Sequence, residues 1–378
     1  MEKSADSLYI HVPFCARKCL YCGFFSTVGC EALIPDYIRA VHAELDAAPP
    51  AKPLRTVYIG GGTPTLLSAG HLAALLEGIR RAAPIDPACE FTVEANPGTL
   101  DAAKAAALRS GGANRISLGA QAFQPHVLEI LGRIHGPDEI RRSVGLLRAA
   151  GFDNIGLDLI FAIPGQTFAD WCESLDAAID LDVQHISAYG LSFDEGTVFT
   201  RRLNDGAMRP APEFMWLRMY DHARQRLAEA GFTHYEISNF ARPGRESAHN
   251  CNYWHNGSYL GIGAFATEYV DGRRRTNVAD VQEYIRLATL CGKAPAFDEK
   301  LEPEYSARET AAFNIRYLPG IARQTFIDRT GFDLERLFGP TIKRLRALGL
   351  LQYENEVLRL TEKALPLADS VSAQFLSE

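Results

Sequence analysis

Two rhythms of apolar residues alternate along the first half of the chain. Short β-rich runs recur at Leu8 to Val12, Thr56 to Ile59, Glu90 to Glu94, Arg115 to Leu118, Asn154 to Phe161 and His185 to Leu191. Between them, Pro35 to Ala47, Ser68 to Ala82, Leu100 to Arg109, Asp138 to Ala150 and Phe168 to Asp180 carry apolar positions at helical spacing. Ser68 and Asp138 read as N-caps and Gly151 as a helix stop. Strands separated by helical crossovers predict right-handed βαβ units and a parallel sheet. Six units predict an α/β fold, an incomplete TIM-like (β/α)6 barrel. In such barrels the functional groups collect where strands end, at the C-terminal face.

Beyond Leu191 the pattern loosens. It predicts a loop over 200–212, a helix over 213–230 and a Gly- and aromatic-rich stretch over 235–269 that covers the barrel mouth. A Pro- and charge-containing linker over 293–305 precedes helices and a short hairpin at Leu351 to Leu360, the pattern of a small, mainly helical, winged-helix-like domain. The expected divisions are a partial barrel over 1–200, an extension over 201–295 and a C-terminal domain over 296–378.

Length and charge narrow the function. A chain of 378 residues exceeds the usual single domain, and 47% hydrophobic content supplies a full core. A net charge of -7 gives no drive toward nucleic acid, and the winged-helix-like region carries ten basic against eleven acidic residues, so packing or partner docking fits it better. The run Arg273 to Arg275 reads as a solvated turn before an anion site. The start of the chain has no apolar leader and no apolar run is long enough to cross a bilayer, which predicts a cytoplasmic protein. Cys30, Cys89, Cys172, Cys251 and Cys291 are scattered as free thiols of a reducing compartment would be.

Cys15, Cys19 and Cys22 form a Cys-x3-Cys-x2-Cys array directly after the first strand. Three soft thiolates on a compact loop suit a four-iron cluster whose fourth iron stays open. A zinc site would want a fourth ligand, for which Cys30 or His11 lies near, and buried thiols without a metal are the remaining reading. Gly60-Gly61-Gly62-Thr63-Pro64 after strand two leaves main-chain groups open to close approach, or is simply a tight turn. Glu94 ends an apolar strand, where a carboxylate needs a ligand or a salt-bridge partner. Gln121, Arg133 and Asp158 also put hydrogen-bonding groups at barrel positions, each open to a structural explanation.

Together, Tyr9-Ile10-His11-Val12-Pro13-Phe14-Cys15, the Gly60 to Thr65 turn, and Asp158-Leu159-Ile160 with Pro164-Gly165-Gln166-Thr167 resemble the radical S-adenosylmethionine (SAM) superfamily and, within it, the oxygen-independent coproporphyrinogen III oxidase group. The resemblance is strong over 7–290. It implies a [4Fe-4S] cluster on Cys15, Cys19 and Cys22. It implies SAM held by Tyr9, Gly61, Gly62, Thr63, Glu94, Gln121, Arg133 and Asp158, with one-electron cleavage of SAM to methionine and a deoxyadenosyl radical.

The group has an oxidase branch and a haem chaperone branch. Oxidases carry a further Cys two residues beyond the third cluster cysteine, where this chain has Phe24, and a long extension ahead of the aligned tyrosine, which here is Tyr9. His249, Asn250, Tyr253 and Trp254 fit the His-Asn-x-x-Tyr-Trp motif that the chaperone branch associates with haem. An imidazole such as His249 is able to ligate haem iron and aromatic rings to cover the macrocycle; a packed loop is the bland reading, and His255 and Cys251 are competing ligands. The resemblance therefore implies haem as cargo and haem-requiring acceptors, respiratory proteins among them. Radical decarboxylation of coproporphyrinogen III and a SAM-regulated docking protein are the alternatives.

Overall fold

The computed structural model describes residues 5–376. Six parallel strands appear where the apolar rhythm put them: β1 (Ser7–Val12), β2 (Leu54–Gly61), β3 (Ile85–Ala95), β4 (Arg115–Gln121), β5 (Ile155–Phe161) and β6 (His185–Gly190). They pair in chain order, β1 to β6, with registers such as Tyr9 beside Tyr58 and Asp158 beside Ser187. The helices α1 (Ile34–Ala47), α2 (Ala69–Ala82), α3 (Ala102–Ser110), α4 (Pro125–Leu131), α5 (Pro137–Ala149) and α6 (Phe168–Asp180) provide the crossovers. Ser68 caps α2 as expected, its hydroxyl accepting from the His71 amide. Asp138 is not a cap: α5 begins one residue earlier with Pro137, and Glu139 reaches back to the Gly136 amide at 3.0 Å.

Side-chain alternation explains the layers. Leu8, Ile10, Val57, Ile59, Phe91, Val93, Ile116, Leu118, Leu157 and Leu159 join the apolar faces of α1 and α2, such as Val41, Leu72, Leu75 and Ile79, in one buried cluster. The intervening residues, Tyr58, Glu94, Arg115, Ser117, Asp158, His185 and Ser187, line the concave interior instead. Each strand is thus greasy outside and polar inside, and the polar residues are the material of a site.

The segment after β6 departs from expectation in two places. The 200–212 loop is partly helical, α7 (Val198–Asn204), capped by Thr197 through the Thr200 amide. A single cap followed by two short turns gives too little periodicity to be read beforehand. The segment 201–295 also does not simply cover the mouth. After α8 (Glu213–Glu229), β7 (Thr233–Glu236) and β8 (Asn239–Ala241) extend the sheet antiparallel beyond β6, and β9 (Leu260–Ile262) extends it parallel beyond β1. The helix between them, α9 (Ala248–Trp254), enters from the opposite end of the strands: its first amides donate to Glu90 of β3 and His249 meets Thr56 of β2. Thr56 lies near the start of β2 and pairs in register with Glu90 in the middle of β3.

The rest forms two small sheets and the closing helices. β10 (Thr267–Val270), β11 (Arg273–Asn277) and β12 (Pro295–Lys300) flank α10 (Val281–Cys291). Then come α11 (Pro303–Asn314), β13 (Ile321–Ala322), α12 (Arg323–Thr330), α13 (Leu334–Ala347), the hairpin β14 (Leu351–Glu354) with β15 (Val357–Leu360), and α14 (Ala368–Ala373). The hairpin turns through Asn355 and Glu356, both left-handed, and β13 adds a third strand to it, giving the winged-helix-like pattern. The three arginines of β11 are strand residues with partners: Arg273 and Arg275 bind Asp298, Arg275 also Glu268, and Arg274 binds Glu299 and Glu309. No helix among the described residues is long and apolar enough to cross a membrane.

Candidate functional site

A cavity of about 360 Å³ opens at the C-terminal ends of the strands. Its mouth carries Cys15, Cys19 and Cys22, and its wall takes two residues from each of β2, β3 and β5 and four from each of β4 and β6. The cysteine loop is held by backbone bonds on both sides: the Cys15 amide to the Thr27 carbonyl at 2.9 Å, and the Leu20 amide to the Leu131 carbonyl at 3.1 Å. All three thiols are partly exposed. Among the described residues no three His, Cys, Asp or Glu side chains converge on a point where one ion would sit. A four-iron cluster asks for something else, a ring of thiols each able to take a different iron. His11 and Cys30 are occupied elsewhere: His11 bonds the Tyr9 hydroxyl and the Phe25 carbonyl through its two nitrogens, and Cys30 lies against Thr27 at 3.1 Å.

The glycine turn locks this loop to the barrel. The Gly62 amide donates to the Val12 carbonyl and the Thr63 amide to the Phe14 carbonyl, both at 2.8 Å. A Cβ on Gly62 would come within 2.8 Å of the Pro13 and Phe14 backbone, and one on Gly61, where φ is 110°, within 2.5 Å of the His11 ring. So the glycines are needed for close packing first. Thr63 then places its hydroxyl 3.5 Å from the Cys15 sulfur.

Beneath the cysteines lie two half-buried carboxylates on the cavity wall. Glu94 accepts from the Tyr58 hydroxyl at 2.8 Å and the Gly61 amide at 3.0 Å. Burial, reinforced by Asp158, outweighs those bonds and raises its pKa to about 7. Asp158 accepts from Ser187 at 2.7 Å and Ser117 at 3.1 Å, and burial raises its pKa too. Arg115, 1% exposed, supplies the compensating charge; burial opposes that charge, but Glu90, Tyr58 and Asp158 more than offset it. Arg133 donates to the Cys19 sulfur at 3.3 Å and the Gly119 carbonyl at 2.8 Å, which joins the cysteine loop to β4. Gln121 ends β4 with φ of 68°, a left-handed conformation that side-chain-bearing residues rarely hold without surrounding constraint.

Of the residues expected to hold SAM, the structure brings Gly61, Gly62, Thr63, Glu94, Gln121, Arg133 and Asp158 to the cavity. Tyr9 is not on its wall; its hydroxyl bonds His11 and its ring lies 6.2 Å from Tyr58. Sequence reasoning missed Tyr58, Arg115, Ser117, His185 and Ser187, which line the cavity one or two pleats from the expected strand-end residues. Their signal was there as polar or aromatic residues at alternate positions of consecutive strands. The wall also holds buried nitrogens without partners, Arg115 Nε, Arg133 Nε and His185 Nδ1. Such orphans fit a polar ligand.

The motif helix is arranged differently. His249 is 0% exposed, with Nδ1 on the Thr56 hydroxyl at 2.8 Å and Nε2 on the Tyr253 hydroxyl at 2.9 Å. Its ring stacks on Tyr58 at 5.1 Å. Burial, with Arg115 adding to it, lowers its pKa to about 3. Ligation of iron by His249 therefore requires one of these bonds to break. Asn250 alone of the motif reaches the cavity wall. Tyr253 packs edge-on to His249 and Tyr259, and Trp254 lies under the Arg316 guanidinium at 5.1 Å. His255 bonds the Cys251 carbonyl and meets the Tyr317 ring.

With this geometry in place, the kinship can be read. Residues 9–178 match the radical SAM superfamily and residues 301–367 match the HemN C-terminal domain. The heme chaperone HemW of Bacillus subtilis (strain 168) is 36% identical over 98% of this chain and 99% of its own length. The chain belongs to the HemW branch of the radical SAM HemN family. Heme chaperone HemW of Escherichia coli (strain K12) is 34% identical over 98% of both chains. The Bos taurus mitochondrial radical S-adenosyl methionine domain-containing protein 1 is 30% identical over 98% of this chain and 87% of its own. The fold matches that of coproporphyrinogen III oxidase (HemN) from Escherichia coli with a TM-score of 0.85 at 21% identity, over 98% of this chain and 90% of that one. Radical SAM membership implies a [4Fe-4S] cluster and SAM.

Proposed function

We propose that this protein is a haem chaperone that takes up haem and delivers it to haem-requiring proteins, with a [4Fe-4S] cluster and SAM in the barrel. The similarity to proteins named heme chaperone HemW, 34–36% identical over nearly the whole chain, carries this reading. The oxidase matches this chain in fold at only 21% identity, and Phe24 stands where oxidases have their additional cysteine.

Cys15, Cys19 and Cys22 would hold the cluster at the mouth. Gly61, Gly62 and Thr63 would receive the methionine part of SAM; Glu94 and Asp158 would meet its ammonium and ribose, and Gln121 and Arg133 would complete the wall. A bound cluster and SAM together supply one-electron chemistry. The protein's part is to enclose them: the Tyr58 hydroxyl and Gly61 amide aim Glu94 into the cavity, Ser117 and Ser187 fix Asp158, and Arg115 balances both acids out of reach of water. The acceptors are cytoplasm-facing haem proteins, those of a respiratory chain included.

Anaerobically reconstituted protein titrated with haem, beside an assay with coproporphyrinogen III, SAM and reductant, tests this choice. A new Soret band without protoporphyrinogen formation supports the chaperone. Robust decarboxylation of coproporphyrinogen overturns it in favour of the oxidase.

A further inference from the structure

A haem chaperone needs a surface from which haem is both taken and given. The motif helix does not offer one, since His249 is fully buried and both its ring nitrogens are bonded. The cavity, about 360 Å³, lies at the small end of ligand pockets and is committed to SAM on the reading above, so a tetrapyrrole would stay outside it.

The mouth has what the interior lacks. Phe24, two residues beyond Cys22, is 71% exposed, the most exposed large apolar side chain among the described residues. Arg17 and Lys18 stand on the same cysteine loop, are exposed, and line the same opening. Lys18 Nζ donates to the Phe24 carbonyl at 3.3 Å, which brings cation and ring together. Neither cation has a carboxylate partner among the described residues, whereas the arginines of β11 are all paired. The acid of this rim, Asp194, already accepts from Ser192 at 3.0 Å. In a chain of net charge -7, two free cations beside an exposed aromatic ring form a local complement to a ligand with one flat apolar face and two carboxylates.

We propose that haem docks at the mouth of the cavity, its macrocycle against Phe24 and its propionates paired with Arg17 and Lys18. This rests on the haem-chaperone reading. Cargo held there lies on the cluster loop itself, so whatever cluster or SAM does to the Cys15 to Cys22 segment is felt at the haem. An open rim also lets an acceptor approach the exposed edge of the macrocycle.

The test is haem titration of the full chain, anaerobic and cluster-loaded, followed at the Soret band. Phe24→Ser, which removes the apolar contact to the macrocycle, and the pair Arg17→Glu with Lys18→Glu, which removes the charge-assisted contacts to the propionates, should each weaken uptake by about tenfold or more. Phe24→Trp and Lys18→Arg should keep it. Haem dimethyl ester, which lacks the propionate charges, should bind the parent as weakly as haem binds the charge-reversed pair. The charge-reversed pair leaves the ring beside Cys22 in place, so it decides the matter even where Phe24→Ser disturbs the loop. Parent-like haem affinity in that pair, with cluster absorption retained, overturns the docking site alone. A parent that takes up no haem removes the chaperone reading and the site with it.

Discussion

The cysteine loop and the motif helix are both short segments rich in residues able to bind metal, and the fold uses them in opposite ways. Around Cys15, Cys19 and Cys22 the thiols are partly exposed and the wall behind them keeps orphaned nitrogens. Around His249 each polar atom of the ring has a partner and no surface is left. The first is organised to receive something, the second to support it: His249 backs Tyr58, and Tyr58 aims Glu94. A motif's residue types therefore do not say whether it is a site or a strut. Satisfaction of its polar atoms does.

Four experiments stress this contrast, from the largest effect down. Replacing Cys15, Cys19 and Cys22 together by Ser should abolish cluster assembly, read as iron and sulfide content after reconstitution. Parent-level iron would remove the loop as the cluster site.

Glu94→Ala should keep the cluster but weaken SAM by about tenfold or more, measured by calorimetry, since a desolvated charged contact is lost. The parent should also show a pH dependence. Because burial raises the folded pKa of Glu94 from 4.5 to about 7, its contribution to stability is full below the lower value and fades as pH rises through the upper one. Ionisation at higher pH gives cationic SAM a partner, so SAM affinity should rise across neutrality, and Glu94→Gln should flatten that rise. A flat profile in the parent would separate Glu94 from SAM.

His249→Ala should destabilise the fold by about 2–4 kcal/mol in denaturant titration, through the cavity left and the two hydroxyls stranded. It should weaken SAM less than Glu94→Ala does, and His249→Gln should recover part of the loss. Haem uptake should survive. Loss of haem with stability and SAM affinity unchanged would show instead that the imidazole ligates iron. Smallest of all, Arg273→Ala should leave haem and SAM binding alone, because its charge is already spent on Asp298 at the surface.

The sequence conveyed the barrel well because its signal is local. Phe168 to Asp180 is legible as a helix to the residue, and five of the six strands to within three positions, since outward apolar residues at every second place announce them. β3 instead starts five residues before the expected Glu90, because Ile85 to Ala88 lack that buried alternation. What it could not convey is which inward residues meet. Tyr58, Arg115 and His185 carry only the alternation of their strands as a signal, and they become wall residues of one cavity when neighbouring strands register. The same holds for His249, whose partner Thr56 lies 193 residues away. Asp138 failed as a cap for a smaller reason, the competing Pro137 and Glu139 beside it.

Haem transfer tests the central claim most directly. Cluster-loaded protein, charged with haem and freed of excess, is mixed with the apo form of a haem protein, and the Soret bands of donor and acceptor are followed with and without SAM. The account predicts that haem leaves the donor and appears in the acceptor, while coproporphyrinogen III offered to the same preparation stays intact. Haem retained by the donor under every cluster and SAM condition, or coproporphyrinogen converted, would contradict it.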